Sequence, residues 1–112
     1  MRFLYKIISA AEWAEAVARG RFEGAAVDHR DGFIHLSAAE QVRETARRHF
    51  AGQEGLLLVA FREADLANLK WEPSRGGALF PHVYGAIDPA RAVSAVPLPL
   101  EGGAHRFPED IP

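Results

Sequence analysis

Asp31-Gly32-Phe33-Ile34-His35-Leu36-Ser37 is the most informative stretch of this 112-residue chain. Read as a strand, its side chains alternate, so Ile34 and Leu36 point one way while Phe33, His35 and Ser37 point the other. One face is core material, and the other offers a ring, an imidazole and a hydroxyl. Ahead of it, Asp31-Gly32 reads as an ordinary hairpin turn, with Asp28 and His29 in the same turn. Behind it, Ser37-Ala38-Ala39-Glu40 reads as a capping box, a hydroxyl at the N-cap and a carboxylate three residues on. A helix is therefore predicted from Ser37, with Ala39, Val42, Ala46 and Phe50 as its buried stripe and Gly52 just past its end.

The same grammar stands nearer the amino terminus. Residues 3–8 alternate as a strand, Ser9-Ala10-Ala11-Glu12 is a second capping box, and Trp13, Ala16 and Val17 fall at helical spacing before Gly20. Leu56 to Phe61 is apolar throughout, as a central strand covered on both faces should be. Glu63 to Leu69 reads as a helical turn, Lys70-Trp71-Glu72 as a brief strand and residues 73–77 as a loop. Leu79 to Ile87 is strand-like but interrupted by Pro81 and Gly85, which predicts a short, bent or edge strand. Ala92 to Val96 reads as a last strand. This order predicts one compact α+β domain over residues 1–100 with two main helices, followed by a loosely held tail over 101–112.

Composition narrows the function classes. There is no cysteine, so disulfides, thiolate metal sites and thiol nucleophiles are excluded. No apolar run approaches the ~20 residues that cross a bilayer, and the first residues lack a secretory pattern, so the expectation is a cytoplasmic protein with no membrane partner. A net charge of −2 argues against non-specific nucleic-acid binding. Arg43, Arg47, Arg48 and His49 form a basic helix face, but Glu44 offsets it and a solvated surface explains it.

The chemistry-bearing residues lie in two strands and at one lysine. Phe80, His82 and Tyr84 share one face of their strand, an aromatic wall with two polar handles that suits a planar ring or ribose hydroxyls. His35 stands on the corresponding face of its own strand. Lys6, within an apolar strand, must snorkel or reach a cleft. No nucleophile–base pair, phosphate loop or metal-ligand spacing is legible, and no metal site or cofactor is assigned. The bland alternative is that His35 is a bonded core histidine and that the aromatics pack beneath the Gly76-Gly77 loop.

The strings Leu4-Tyr5-Lys6-Ile7, Asp31 to Ser37, Leu69-Lys70-Trp71-Glu72 and Phe80-Pro81-His82-Val83-Tyr84-Gly85 together resemble the domain of unknown function 952 family over residues 3–98. More distantly, the chain resembles the ADP-ribosyltransferase fold, including the RNA 2′-phosphotransferases, through a strand ending in His-x-Ser. That resemblance implies a split, mostly antiparallel sheet with an NAD-like ligand in its cleft and NAD as a substrate. It also implies that His35 and His82 act at the ribose or reacting sugar, Ser37 orients the ligand, Tyr84 stacks on a planar ring beside Phe80, and Lys6 approaches phosphate. Lys6 stands where those transferases carry histidine or arginine, and no late-strand glutamate matches theirs. Two functions follow: an NAD-utilising transferase or glycohydrolase, and a non-catalytic module binding a nucleotide or another small molecule. A structural or interaction domain without a ligand pocket is the third possibility.

Overall fold

A computed structural model describes residues 2–111 of the chain, apart from the Arg75 side chain. The first strand, β1 (Phe3–Ser9), leads into α1 (Ala10–Arg19) through the expected cap. Ser9 Oγ accepts the Glu12 N–H at 3.1 Å, and Gly20 closes the helix in the left-handed region at φ 74°. Trp13 and Ala16 face inward as predicted, whereas Val17 is exposed.

A second helix, α2 (Ala26–Asp31), occupies the segment expected to be a turn. It is only six residues long and has no apolar stripe, so periodicity cannot reveal it. What builds it is Asp28, whose Oδ2 accepts the Ala25 N–H at 2.8 Å. Gly32 is this helix's C-cap at φ 87°, donating to the Asp28 carbonyl at 2.8 Å, and not the corner of a hairpin. Gly24 is required on other grounds. Its φ is 109°, and a Cβ there would stand 2.8 Å from Asp28 Cβ.

The chain then switches sheets within five residues. β2 (Ile34–His35) joins one sheet and β3 (Ser37–Ala38) joins another. The helix α3 (Ala39–His49) starts one residue later than predicted, with Ala38 as N-cap. Ser37 lies in β3 opposite Tyr5, and its hydroxyl is bonded to Thr45 and not to a helix N–H. Gln41 replaces the expected carboxylate, accepting the Ala38 N–H at 3.0 Å and donating to the Leu79 carbonyl at 2.7 Å. The remaining strands are β4 (Leu56–Arg62), β5 (Leu69–Pro73), β6 (Leu79–Val83), β7 (Ala92–Leu98), β8 (Leu100–Glu101) and β9 (Ala104–His105).

All pairings are antiparallel, in a four-stranded sheet of order β3-β1-β4-β7, a three-stranded sheet of order β2-β6-β5 and the β8-β9 hairpin. This is an α+β architecture of antiparallel sheets. β6 is the centre of its sheet, not an edge, although Pro81 lies in its middle. The Pro81 carbonyl accepts the Leu36 N–H at 3.0 Å. The proline withholds only the reciprocal bond to Leu36, at the point where β2 ends.

β4 alternates between two cores, which explains its unbroken apolar run. Val59 and Phe61 join Leu4, Ile8, Trp13, Ile34, Leu36 and Val83 under α1 and the small sheet. Leu56, Leu58 and Ala60 join Ile7, Val42, Ala46 and Leu98 under α3. The tail is packed, contrary to expectation. Ile111 is buried in the second core, Phe107 lies beneath the Arg43 guanidinium at 5.4 Å, and the His105 ring meets the Gln53 carbonyl at 2.8 Å.

Phe61 is fully buried and meets Trp13 edge-on at 6.2 Å. Truncation to alanine is expected to cost about 3–5 kcal/mol in chemical denaturation, and a loss below about 1 kcal/mol would contradict this packing. Ser9→Ala should cost about 1 kcal/mol through the lost cap. Any effect of Ser37→Ala should instead come from its strand and the Thr45 hydroxyl.

Candidate functional site

The site is built around a charge that the fold must satisfy. Lys6 projects from β1 between Leu4 and Ile8 and is only 5% exposed. It does not snorkel. Its Nζ lies 3.0 and 2.8 Å from the two oxygens of Asp28 and donates to the His35 carbonyl at 3.0 Å. Two of the ammonium protons are hydrogen-bonded, and the second Asp28 oxygen stands at ion-pair distance.

Asp28, 2% exposed, is the other half of this arrangement. Its Oδ1 accepts from the His35 N–H at 3.1 Å and from His35 Nδ1 at 2.7 Å, while Oδ2 takes the Ala25 N–H. Burial pushes the Asp28 carboxyl up, but the His35 bond, the Lys6 charge and bond, and the Ala25 N–H outweigh it and hold the group well below the usual carboxylate range. Burial draws Lys6 below the usual lysine range, and the Asp28 charge only partly restores it. The outer nitrogen of His35, Nε2, stands 2.9 Å from Asp31 Oδ2. The imidazole thus stands between two carboxylates.

His82 is the cross-strand neighbour of His35, their ring centroids 5.5 Å apart. Phe33 stacks on His82 at 4.1 Å and touches the rings of His35 and Tyr84 at 4.7 and 5.4 Å. His82 Nδ1 meets Glu72 Oε1 at 2.8 Å, and the same oxygen accepts the Tyr84 hydroxyl at 2.7 Å. These two bonds, Tyr84 first, hold the Glu72 carboxyl below the usual range, and the Glu72 bond raises the Tyr84 phenol. Glu72 is therefore ionised and can only accept, so Nδ1 of His82 carries a proton.

His82 Nε2 has no hydrogen-bond partner among the described residues, and no buried side-chain polar atom there is left unpaired. That nitrogen is therefore open to solvent, although the residue is only 4% exposed.

It opens on a cleft of about 900 Å³ between α3 and the small sheet. His35, His82, Phe80 and Phe33 line the sheet side, Gln41 and Thr45 the helix side. Ser37 also lines it. Since the Thr45 proton goes to the Gln41 carbonyl at 3.1 Å, the Ser37 hydroxyl donates to Thr45 at 3.0 Å. Tyr84 lies outside the lining, exposed, with the Lys70 ammonium 5.2 Å from its ring centroid.

Of the residues singled out in the sequence, the fold brings Lys6, His35, Ser37, Phe80 and His82 to one cleft and sets Tyr84 behind Phe33. Sequence reasoning missed Asp28 and Glu72. A lysine inside an apolar strand was the available sign of a buried acid, and Glu72 alternates onto the same strand face as Lys70. No group of three or more His, Asp or Glu side chains among the described residues is placed to hold a metal ion, and no described helix is long and apolar enough to cross a membrane.

Residues 7–96 match the family described as "Protein of unknown function (DUF952)". The chain belongs to this family. It is similar to protein CC0527 from Caulobacter crescentus, whose X-ray structure is 50% identical, covers 93% of both chains and gives a TM-score of 0.88. A double mutant of CC0527 is 48% identical over 93% of both chains with a TM-score of 0.89. The solution structure of CC0527 is 50% identical over 94% of this chain and 91% of that one, with a TM-score of 0.82. No curated protein matches the chain.

Every partner of the Asp28 carboxylate in this DUF952 protein is a donor. In Asp28→Asn the new amide must point its own N–H toward donors in either orientation, so the variant is expected to lose about 3–5 kcal/mol in urea unfolding at neutral pH. The pH dependence has a definite sign. A carboxyl depressed in the folded state contributes stability fully above the ordinary Asp pKa of about 4 and loses it as pH falls below that value. The stability gap between the two proteins should therefore narrow on acidification, and a gap that stays constant would contradict the charge assignment.

Proposed function

We propose that this DUF952 protein binds a nucleotide-like small molecule in the cleft over the His35–His82 pair. The observation that carries the reading is the unpartnered His82 Nε2 at the wall of a cleft of about 900 Å³, a volume typical of small-molecule sites. Around it the cleft offers aromatic surface from Phe33 and Phe80 and hydrogen-bonding groups from Ser37, Gln41 and Thr45. Stacking surface beside a few directed polar groups suits a base or nicotinamide ring attached to a sugar. The likeness of the sequence to the ADP-ribosyltransferase fold names NAD as the first ligand to test.

Turnover of NAD is the second reading, and His82 favours it, because an imidazole held by a carboxylate with its far nitrogen free is suited to proton transfer. Binding without turnover has its own support. Lys6, expected near phosphate, is paired internally with Asp28 and the His35 carbonyl, and the His35 ring faces a carboxylate at each nitrogen. What those groups supply is a rigid floor, and the arginines that line the cleft, Arg30 and Arg48, are each paired with an acid, Asp31 and Glu44.

Calorimetric titration of the native protein with NAD, ADP-ribose and nicotinamide is expected to give single-site binding to at least one of the first two. Phe80→Ala should weaken it roughly tenfold, about 1.4 kcal/mol, without changing the denaturation midpoint by much. Chromatography of the NAD mixture then separates the readings, since released nicotinamide signals turnover. No binding of NAD or ADP-ribose would sink the nucleotide assignment.

A further inference from the structure

We propose that Nε2 of His82 is the proton acceptor for a hydroxyl group of the molecule held in the cleft, with Glu72 and Tyr84 as its positioning residues. This deepens the reading of the cleft as a ligand site and rests on it. Three observations carry it. His82 is more than nine-tenths buried and lines the cleft, and its Nε2 has no hydrogen-bond partner among the described residues. Its other nitrogen donates to Glu72 Oε1 at 2.8 Å, which leaves Nε2 as the nitrogen that can accept a proton. The ring cannot turn away, because Phe33 stacks on it at 4.1 Å and the His35 ring stands edge-on beside it.

The two histidines are consequently not equivalent. His35 faces Asp28 and Asp31 through its two nitrogens, so an acid stands against its outer nitrogen. His82 faces a single carboxylate, at Nδ1. Its other charged neighbour across the strands is Lys70, which pairs in register with it and lies over the Tyr84 ring.

The transfer balances within the site. The hydroxyl O–H bond breaks, its proton forms a bond to Nε2, and the electron pair stays on the ligand oxygen. Nδ1 keeps its own proton, so the imidazolium produced is paired with ionised Glu72. Tyr84 donates to the same Glu72 oxygen at 2.7 Å and keeps that carboxylate an acceptor. An alcohol such as a ribose hydroxyl fits this requirement. A ligand whose only polar groups are acceptors does not.

The test begins with the ligand-free protein. In a long-range proton–nitrogen NMR spectrum of ¹⁵N-labelled protein at mildly alkaline pH, His82 should show the proton on Nδ1 and the bare nitrogen at Nε2. Glu72→Ala should shift the proton toward Nε2, whereas Tyr84→Phe should leave it on Nδ1. Saturating ADP-ribose should move the Nε2 resonance and slow carbethoxylation of His82 by diethyl pyrocarbonate several-fold. A proton on Nε2 in the native protein overturns the proposal. So does ADP-ribose binding, seen by calorimetry, with no change at His82, and that outcome leaves the cleft reading standing. If ADP-ribose does not bind, NAD and adenosine are tried in turn, and failure of all three removes the nucleotide reading and with it the proposal.

Discussion

The architecture depends on one carboxylate. Asp28 accepts from the Ala25 N–H on its own helix, from Lys6 on β1, and from both the backbone and the ring of His35 on β2. It thereby ties the short helix, the four-stranded sheet and the three-stranded sheet at a single point. An ion pair this deeply buried is seldom a net source of stability, because desolvation of both charges offsets their attraction. Its value here is positional. Remove either charge and the other is stranded in a dry interior, so the elements must meet where the charges meet. The Lys6 bond to the His35 carbonyl extends the same constraint to the strand that carries the site.

Where the sequence was legible, the local signal and the pairing around it agreed. The Ser9 hydroxyl caps a helix with Trp13 and Ala16 inward, while its backbone ends β1 opposite Leu56. The run from Leu56 to Phe61 is apolar because two cores need it. Where the sequence misled, a tertiary contact outbid the local signal. Ser37 has the chemistry of a cap, but its backbone belongs to a ladder with Tyr5 and its hydroxyl to Thr45. Pro81 reads as an edge residue, yet it sits opposite the end of β2 and withholds only one bond of the pair with Leu36. The six residues of α2 have no stripe to read, since that helix is held by the polar side chain of Asp28.

The candidate site was legible to a similar depth. Alternation put His35 with Phe33 and Ser37, and His82 with Phe80 and Tyr84, and these sets do meet across β2 and β6. Alternation cannot say what lies behind each ring, and that distinguishes their roles. The acids that hold the two histidines come from α2 and β5, at separations no local pattern reports. Tyr84 shows the same limit. It shares the face of His82 but is one step farther along the strand, so it reaches the site through Glu72 and not through the cleft.

The basic face of α3 illustrates how partners convert a charge count into chemistry. Arg47 and Arg48 both reach back to Glu44, and Arg43 lies over Phe107, so these cations are engaged locally and do not present a continuous stripe to a phosphate backbone. In the interior, Lys6 is likewise matched, and both nitrogens of His35 are met by acids. Neutralisation of this kind leaves the cleft floor stiff and chemically quiet. Against that background the Nε2 of His82, unbonded among the described residues, stands out. Its direction is fixed by a carboxylate from the neighbouring strand, its ring is clamped between Phe33 and His35, and the strand that carries it is the centre of its sheet. A group on a central strand moves less than one on a loop, and proton transfer is sensitive to displacements of a fraction of an ångström. The proline in the middle of β6 adds to this stiffness, since its ring fixes the backbone one residue before His82. The buried ion pair and the strand proline, both unpromising for stability or for pairing, converge on holding the same imidazole still.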